Sequence, residues 1–302
     1  SDEVGLMFPI IPANSAAASS GNEGIFGYGQ DGSNLSISNL VSNAGVVGTD
    51  VTGVGTARNS VAATQYGGDK GIIGFGVTDT YVSMTNLVSN TGVVGTDVTG
   101  VGTARHGLAA CSYGEDKGIF GFGYASGGRS GVTNLVSNVG VVATDTAAVG
   151  IARNVLAACE YGGDKGIFGF GKNGGNTAVT NLVANTGVVA TDTAGVGTAR
   201  KQLAACSYGE DKGIFGFGWV LSMTNLVSNV GVVGTDVTGV GTARNGPAAC
   251  EYGDDKGIFG FGNDGSTTYY SMTNLVSNAG VVATDTAGVG TGRYGSGACS
   301  FN

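Results

Sequence analysis

The chain has 302 residues, of which 59 are glycine and 3 are proline, and charged residues make up only 12%. That charged share is about half the usual value, so disorder driven by charge is excluded, and the glycines lack the period of collagen. The net charge is −8 and the 14 basic residues are spread along the chain, which argues against nucleic-acid binding because phosphate contacts need clustered Lys and Arg.

The first 23 residues lie outside every repeat. Residues 4–11 are apolar but too short to span a membrane, which takes ~20 apolar residues, so no membrane insertion is expected. Asp2 and Glu3 stand where a signal peptide would carry basic residues, so this sequence has no recognisable signal peptide. We interpret residues 1–23 as an N-terminal attachment arm that binds a protein partner in an assembly.

Six near-copies of one repeat fill the rest of the chain. Each copy contains Gly-Ile-Phe-Gly-Phe-Gly, then Asn-Leu-Val-Ser-Asn, then Gly-Val-Val-(Gly/Ala)-Thr-Asp, with small variations. The first of these strings recurs every 44 to 48 residues, beginning at Gly24, Gly71, Gly118, Gly166, Gly213 and Gly257.

One copy contains four short segments, residues 108–113, 118–123, 132–137 and 141–146, that are rich in β-branched and aromatic residues. None is long or periodic enough for a helix. Four strands in about 47 residues match the size of a propeller blade. The sequence therefore predicts an all-β fold, a six-bladed β-propeller of four-stranded blades over residues 24–302.

The chain ends predict how the ring closes. The first copy begins at its second strand, residues 24–29, and the chain finishes on an unpaired first strand, residues 297–301. In a closed ring the C-terminal strand completes the first blade, which removes exposed strand edges. A β-solenoid, which has no reason to split a repeat in this way, is the alternative fold.

A family resemblance follows from the order of residues within a copy. Arg105, the small apolar residues 108–111 and the glycine-terminated strand 119–123 resemble a kelch blade. Gly-Phe-Gly replaces the kelch Gly-Gly pair, and Val and Thr replace the later Tyr and Trp. The glycine-rich copies are also similar to repeat proteins predicted in virions of environmental tailed phages. These resemblances imply a propeller architecture and favour a virion or another extracellular surface.

Each copy has one arginine and one aspartate at fixed positions. We interpret them as structural, with the arginines paired to aspartates or carbonyls between blades, because a planar guanidinium suits partly buried pairs. Six metal sites on the aspartates are the alternative, but no calcium-loop spacing supports them. The residues are Arg58, Arg105, Arg153, Arg200, Arg244 and Arg293, and Asp50, Asp97, Asp145, Asp192, Asp236 and Asp285.

The sequence offers no residues for catalysis. The five cysteines share one repeat position, so we expect separate, buried free thiols and neither disulfides nor a zinc cluster. His106 is the only histidine, so a copper site like that of kelch-fold oxidases and a Ser-His-Asp triad both lack their residues. We therefore predict no catalytic residue, no metal and no cofactor.

The copies differ mainly in two places, and we call these segments together the variable face. They are the connections 30–35, 77–82, 124–131, 172–178, 219–221 and 263–270, and the pairs 59–60, 106–107, 154–155, 201–202, 245–246 and 294–295. In an up-and-down blade both lie on one side of the disc, whereas the turns on the other side are nearly invariant. Relaxed constraint on exposed loops is the competing explanation.

The variable face is the candidate ligand-binding site. Its aromatic and polar side chains suit sugar or protein surfaces through stacking and hydrogen bonding. The candidate residues are Tyr81, His106, Tyr124, Arg129, Lys172, Lys201, Trp219, Tyr269, Tyr270 and Tyr294.

We therefore expect a non-enzymatic propeller that displays a binding face for glycan or protein. A purely structural or decoration subunit of a larger assembly is the first alternative. A propeller-fold glycan hydrolase or lyase is the second, and it would need a carboxylate cluster among Asp31, Asp79 and Asp264.

Overall fold

The structure is a computed structural model that describes residues 22–301. These residues form β-strands and no helix, so they include no helix that is long and apolar enough to cross a membrane. The attachment arm assigned to residues 1–23 lies outside the described residues except for Asn22 and Glu23. Glu23 already belongs to the first strand, one residue before the domain boundary that the sequence predicts.

Most of the strands have four or five residues. In chain order they are β1 (Glu23–Gln30), β2 (Asn34–Val41), β3 (Ala62–Tyr66), β4 (Lys70–Gly74), β5 (Thr85–Val88), β6 (Arg105–His106), β7 (Ala109–Tyr113), β8 (Lys117–Gly121), β9 (Tyr124–Ala125), β10 (Gly128–Arg129), β11 (Thr133–Val136), β12 (Ala157–Tyr161), β13 (Lys165–Gly169), β14 (Lys172–Asn173), β15 (Gly175–Asn176), β16 (Thr180–Val183), β17 (Ala204–Tyr208), β18 (Lys212–Gly216), β19 (Thr224–Val227), β20 (Ala248–Tyr252), β21 (Lys256–Gly260), β22 (Thr273–Val276) and β23 (Gly297–Phe301).

The repeated unit is a three-stranded antiparallel sheet with its second strand in the middle. Sheet 1 consists of β23, β1 and β2, sheet 2 of β3, β4 and β5, sheet 3 of β7, β8 and β11, sheet 4 of β12, β13 and β16, sheet 5 of β17, β18 and β19, and sheet 6 of β20, β21 and β22. Two small pieces, β6–β9–β10 and β14–β15, lie beyond the second strands of sheets 3 and 4. The fold is an all-β repeat fold, consistent with a β-propeller-like architecture.

The hydrophobic core lies in layers between consecutive sheets. Between sheets 3 and 4, Ile119 and Phe122 pack with Leu156 and Phe168. The central strand β8 is buried along Gly118–Gly121, because a sheet covers each of its faces, which is why its sequence is a continuous apolar run. The first strand β7 instead alternates buried and half-buried side chains.

The predicted fourth strand is only partly formed. In sheet 3, residues 141–146 contact β11 through two isolated bridges and not through a continuous ladder. Between the bridges, the side-chain amide of Asn134 donates hydrogen bonds to the carbonyl of Ala143 at 3.0 Å and to Asp145 Oδ1 at 2.9 Å. This amide takes the place of main-chain ladder bonds. The prediction of four-stranded blades is therefore corrected to three strands and a bridged outer segment.

The last strand pairs with the first. β23 runs antiparallel to β1 with Cys299 opposite Ile25, so the predicted pairing of residues 297–301 with residues 24–29 is present. The first strands contact one another in the order β3, β7, β12, β17, β20 and β23, and β23 also contacts β3. Both ends of the repeat array therefore contribute strands to sheet 1.

A main-chain hydrogen bond joins each sheet to the next at the repeat arginine. The last glycine of each Gly-(Phe/Tyr)-Gly string donates its N–H to the arginine carbonyl of the following sheet, at 2.7 to 3.0 Å. These glycines have φ between 88° and 108°, which other residues rarely adopt. They are Gly29, Gly76, Gly123, Gly171, Gly218 and Gly262.

Close packing between sheets requires further glycines. A Cβ atom at Gly166 would lie 2.5 Å from Cys111 Sγ in the preceding sheet. A Cβ atom at Gly121 would lie 2.6 Å from the ring of Phe168 in the following sheet. Larger residues at these positions would force the sheets apart, since protein interiors leave almost no spare volume.

Candidate recognition face

The six repeat arginines are completely buried between sheets. Arg105 Nε donates to the carbonyl of Phe122 at 2.7 Å, and Nη2 donates to Asn134 Oδ1 at 2.7 Å, both in sheet 3. Its guanidinium lies 4.4 Å from the ring centroid of Phe75 in sheet 2. Burial lowers the pKa of Arg105 to about 10, so the group stays charged at neutral pH. Each arginine is thus bonded within its own sheet and stacked on the preceding one.

The repeat aspartates lie next to these arginines. Arg105 Nη1 is 3.9 Å from Asp145 Oδ1, and five of the six arginines lie within 4.0 Å of an aspartate. Burial acts to raise the pKa of Asp145, but hydrogen bonds from Thr103 and Asn134 outweigh it and hold this pKa below its ordinary value. The arginines are inaccessible to a ligand, so this geometry favours internal cross-linking over binding.

All five cysteines are buried free thiols, as their shared repeat position predicts. Burial raises the pKa of every one of them, Cys299 to about 12. They are therefore uncharged at neutral pH and behave as small apolar side chains.

A cavity of about 60 Å³ lies between the first strands of the six sheets, and we call it the first-strand cavity. Burial raises the pKa of Glu160 to about 7 and that of Glu251 to about 8, and the charge of Glu160 further raises the latter. These two carboxyl groups were not predicted as functional residues from the sequence. The position directly after each cysteine position varies between copies, and this variation could have revealed them. The residues at this position all line the first-strand cavity, and they are Gln65, Ser112, Glu160, Ser207, Glu251 and Ser300.

The two variable segments of a repeat pair with each other. In sheet 3, His106 pairs with Tyr124, and in sheet 4, Asn154 bridges Lys172. Sheet 5, whose connection is the shortest, instead bridges to the next sheet through Leu221. The structure therefore puts side by side the residues that differ between copies. The remaining bridges are Gln30–Tyr294 in sheet 1, Asn59–Val77 in sheet 2 and Asn245–Asn263 in sheet 6.

The second residue after each repeat arginine links neighbouring sheets through the main chain, a role that was not predicted from the sequence. It is left-handed in all six copies, with φ between 49° and 68°. Gly107 donates its N–H to the carbonyl of Ser60 at 3.0 Å, and Val155 donates to the carbonyl of Gly107 at 2.6 Å. Three further bonds continue this pattern, so the position links sheets through the main chain. The residues are Ser60, Gly107, Val155, Gln202, Gly246 and Gly295.

Three candidate residues gather where sheets 2 and 3 meet. The ring of His106 stacks on Tyr81 at 4.8 Å and 29°, and Tyr124 lies 5.9 Å from His106 and 6.3 Å from Tyr81. Arg129 lies opposite Tyr124 in the β9–β10 hairpin. Burial lowers the pKa of His106, so its ring is neutral at pH 7. Among the described residues, His106 Nδ1 and Arg129 Nε are buried without a hydrogen-bond partner.

A second aromatic pair lies where sheets 6 and 1 meet. The rings of Tyr269 and Tyr294 are nearly parallel, at 6.0 Å and 13°, and the side chain of Gln30 donates to the Tyr294 hydroxyl. Tyr270 follows in the same connection and donates its N–H to Gly262 at 2.8 Å. The candidate aromatics therefore form two clusters and not one continuous patch.

Trp219 stands apart from both clusters and is 51% exposed. Trp219 and Val220 have φ of 52° and 57°, and the Leu221 N–H closes their turn by donating to Gly218 at 3.0 Å. The left-handed conformation costs roughly 1–2 kcal/mol for each residue with a side chain. This exposed tryptophan is therefore held in a strained turn.

The two candidate lysines occupy neighbouring sheets. Lys172 lies in the β14–β15 hairpin of sheet 4, paired with Asn176. Lys201 directly precedes Gln202 in sheet 5. Neither belongs to an aromatic cluster in the described residues.

Comparison with known proteins finds no match to the chain, either among protein-family models or among curated proteins.

Proposed function

We propose that the six sheets are the blades of a closed six-bladed β-propeller, with β23 completing the blade that β1 begins. The pairing of β23 with β1 supports this arrangement, as does the contact of β23 with β3 in sheet 2. A β-solenoid would keep its first and last strands apart, because each repeat contacts only its neighbours in sequence.

We further propose that the protein is a non-enzymatic binding or display propeller whose variable face recognises glycan or protein. The observation that carries this proposal is the pairing of the two variable segments within five of the six sheets. This pairing places the residues that differ between copies next to one another, at the ends of the strands. A binding site built on such regular elements is held more precisely than one built on loops. A virion or another extracellular surface would present such a face to its ligand.

The opposite turns offer no comparable diversity. Five of the six copies carry an Asp-Lys pair there, and each lysine donates to the aspartate that precedes it. These exposed turn residues are nearly the same in all copies. Exposure alone therefore does not explain why the copies differ in the variable face.

A structural or decoration subunit is the second candidate, and the outer segments favour it. The first valine of Gly-Val-Val is 63 to 65% exposed in every copy. Repeated apolar exposure of this kind suits a surface that neighbouring subunits cover. The residues are Val46, Val93, Val141, Val188, Val232 and Val281.

A glycan hydrolase or lyase has the least support. Its carboxylates would come from Asp31, Asp79 and Asp264, which lie in connections of sheets 1, 2 and 6. Asp31 and Asp264 each accept a main-chain hydrogen bond from their own turn, at 3.3 and 2.8 Å. Their positions favour turn formation over paired acid and base catalysis.

The decisive experiment is a glycan microarray probed with the whole chain, followed by the triple variant Tyr124→Ala/Trp219→Ala/Tyr269→Ala. We expect the variant to lose binding while it keeps the circular-dichroism spectrum of the parent. Lys117→Ala, on the opposite turns, is the matched control and should bind normally. Unchanged binding by the triple variant would eliminate the recognition face.

A further inference from the structure

The positive charges of this chain fall into three groups. Six of the 14 basic residues are the buried repeat arginines. Five are the turn lysines, each paired with the preceding aspartate. The remaining three are Arg129, Lys172 and Lys201, which we call the cationic arc.

The cationic arc has no acidic partner. Across residues 22–301, no carboxylate oxygen lies within 4.0 Å of its nitrogen atoms, although acidic residues outnumber basic ones by 22 to 14 in the chain. All three side chains are partly exposed. Among residues 22–301, the unpaired and accessible cations are thus confined to sheets 3, 4 and 5.

The arc occupies one half of the variable face. Arg129, Lys172 and Lys201 belong to the consecutive sheets 3, 4 and 5. The variable connections of sheets 1, 2 and 6 instead carry acidic residues, which are Asp31, Asp79 and Asp264. Charge of one sign along a surface attracts and orients a ligand of the other sign. The arrangement therefore separates a positive half from a negative half.

The positive half also contains polar atoms that lack partners. His106 Nδ1 and Arg129 Nε in sheet 3, and Asn154 Oδ1 and Asn176 Nδ2 in sheet 4, are buried and make no hydrogen bond among the described residues. Leaving such groups unpaired costs free energy, but these atoms have no exposed surface, so a ligand would reach them only after a shift of the side chains that cover them.

Aromatic rings lie at the boundary of this half, where Tyr81 comes from the sheet 2 connection that also carries Asp79. Tyr81, His106 and Tyr124 form their cluster at the edge of sheet 3 that faces sheet 2. The neutral His106 ring adds stacking surface without adding charge. A ligand that matches the cations and the aromatic rings carries negative charge and an apolar ring face.

We propose that this half of the variable face binds an acidic glycan, with carboxylates of uronic or sialic acid residues at the cationic arc and a sugar ring near Tyr81 and Tyr124. The proposal rests on the proposed recognition function and names its ligand class. A nucleic acid fits less well, because three cations provide few phosphate contacts and binding strength follows their number.

The test measures binding of the whole chain to polygalacturonate, alginate oligosaccharides and polysialic acid by biolayer interferometry. We expect binding to at least one of them, weakened at 200 mM relative to 50 mM NaCl. Carboxyl-reduced polygalacturonate has the same backbone without the charge, and we expect it to bind at least tenfold more weakly than a bound polyuronate.

The variant Arg129→Gln/Lys172→Gln/Lys201→Gln should weaken binding at least tenfold. Its control, Lys117→Gln/Lys165→Gln/Lys212→Gln, removes three charges from the same sheets on the opposite turns and should bind like the parent. Equal losses in both variants would mean that net charge alone acts, and would overturn the proposal.

Three further results would also overturn it. They are no binding to any of the three acidic polymers, equal binding to the carboxyl-reduced polymer, and tighter binding to single-stranded oligo(dT). A neutral glycan bound on the array through Trp219 would leave the recognition function standing while the acidic-glycan site fails.

Discussion

Ile151 donates its N–H to both carboxylate oxygens of Asp192, at 3.2 and 3.0 Å, but it has no hydroxyl to add a third hydrogen bond. In the other five copies a threonine occupies this position, and its Oγ1 donates to the aspartate. The fourth sheet therefore carries an incomplete version of a cross-link that is complete elsewhere.

Ile151→Thr should stabilise the protein by completing this cross-link. A hydrogen bond to a charged group contributes about 1.5–3 kcal/mol, and we expect less here because the site is partly open to water. Ile151 is 41% exposed, so little apolar burial is lost. Urea unfolding measures the change. The converse variant Thr103→Ile should destabilise by a similar amount, and a neutral result for both would show that the hydroxyl contributes nothing.

Stability should fall as the pH rises from about 4.5 to about 8. The folded-state pKa of Glu160 is raised from 4.5 to about 7 and that of Glu251 to about 8, so these two carboxyl groups bind more protons in the folded state than in the unfolded state in this window, and they outweigh the lowered pKa of the single residue His106. The stabilisation is fully present below the ordinary pKa and is lost as the pH passes the folded-state values. Urea unfolding at pH 5, 7 and 9 provides the measurement.

The variant Glu160→Gln/Glu251→Gln should flatten this pH dependence, and Gln65 shows that an amide is accommodated at the equivalent position. Glu210→Gln, an exposed turn substitution, should leave the slope unchanged. A slope retained in the double variant would mean that other groups cause it.

Replacing Trp219-Val220 with Asn-Gly should raise the melting temperature. Both residues have positive φ, and Asn-Gly is the preferred pair for a turn with two left-handed residues. Relief of roughly 1–2 kcal/mol per residue should exceed the loss of contacts from side chains that are 51% and 43% exposed. Differential scanning calorimetry measures the shift. Trp219→Ala keeps the strain and should bring no such gain, so equal melting temperatures for the two variants would refute strain in this turn.

Deleting residues 297–302 should lower the melting temperature by about 10 °C or more. The deletion removes β23, whose Cys299 and Phe301 are buried in the core between sheets 1 and 2. A large buried apolar side chain contributes roughly 1.5–3 kcal/mol, and β1 would also lose its partner strand. A synthetic peptide of residues 296–302 added in trans should restore part of the loss. An unaltered melting temperature would contradict closure through this strand.

The strands were predictable from sequence because each copy repeats the same apolar run between turn residues. The predicted segments 118–123 and 132–137 differ from β8 and β11 by one or two residues at each end. The bridged form of the outer segment was not predictable. It depends on the hydrogen bond from the Asn134 side-chain amide to the carbonyl of Ala143, and the sequence alone shows Asn134 only as a residue of a strand.

The candidate site was predictable in outline and incomplete in detail. Differences between copies defined the segments of the variable face, and the structure pairs two of these segments where His106 lies opposite Tyr124. The sequence already separated Arg129, a residue of the variable face, from the repeat arginine Arg105, but it could not reveal that Arg129 has no acidic partner among the described residues, whereas Arg105 lies beside Asp145. Glu160 was not predicted because its position holds different polar residues in different copies. Such a pattern looks like the ordinary variation of an exposed strand residue.

The connections of the variable face differ in length, while the strands around them in sheets 2 to 6 do not. Residues 217–223 join β18 to β19, whereas residues 122–132 join β8 to β11, and all four strands have the lengths of their counterparts in sheets 2, 4 and 6. Since the entropy of closing a loop grows slowly with its length, insertions here cost little. Duplication of the repeat followed by local insertion can therefore change one loop at a time while the fold stays the same. We expect natural variants of this protein to differ most in these six loops.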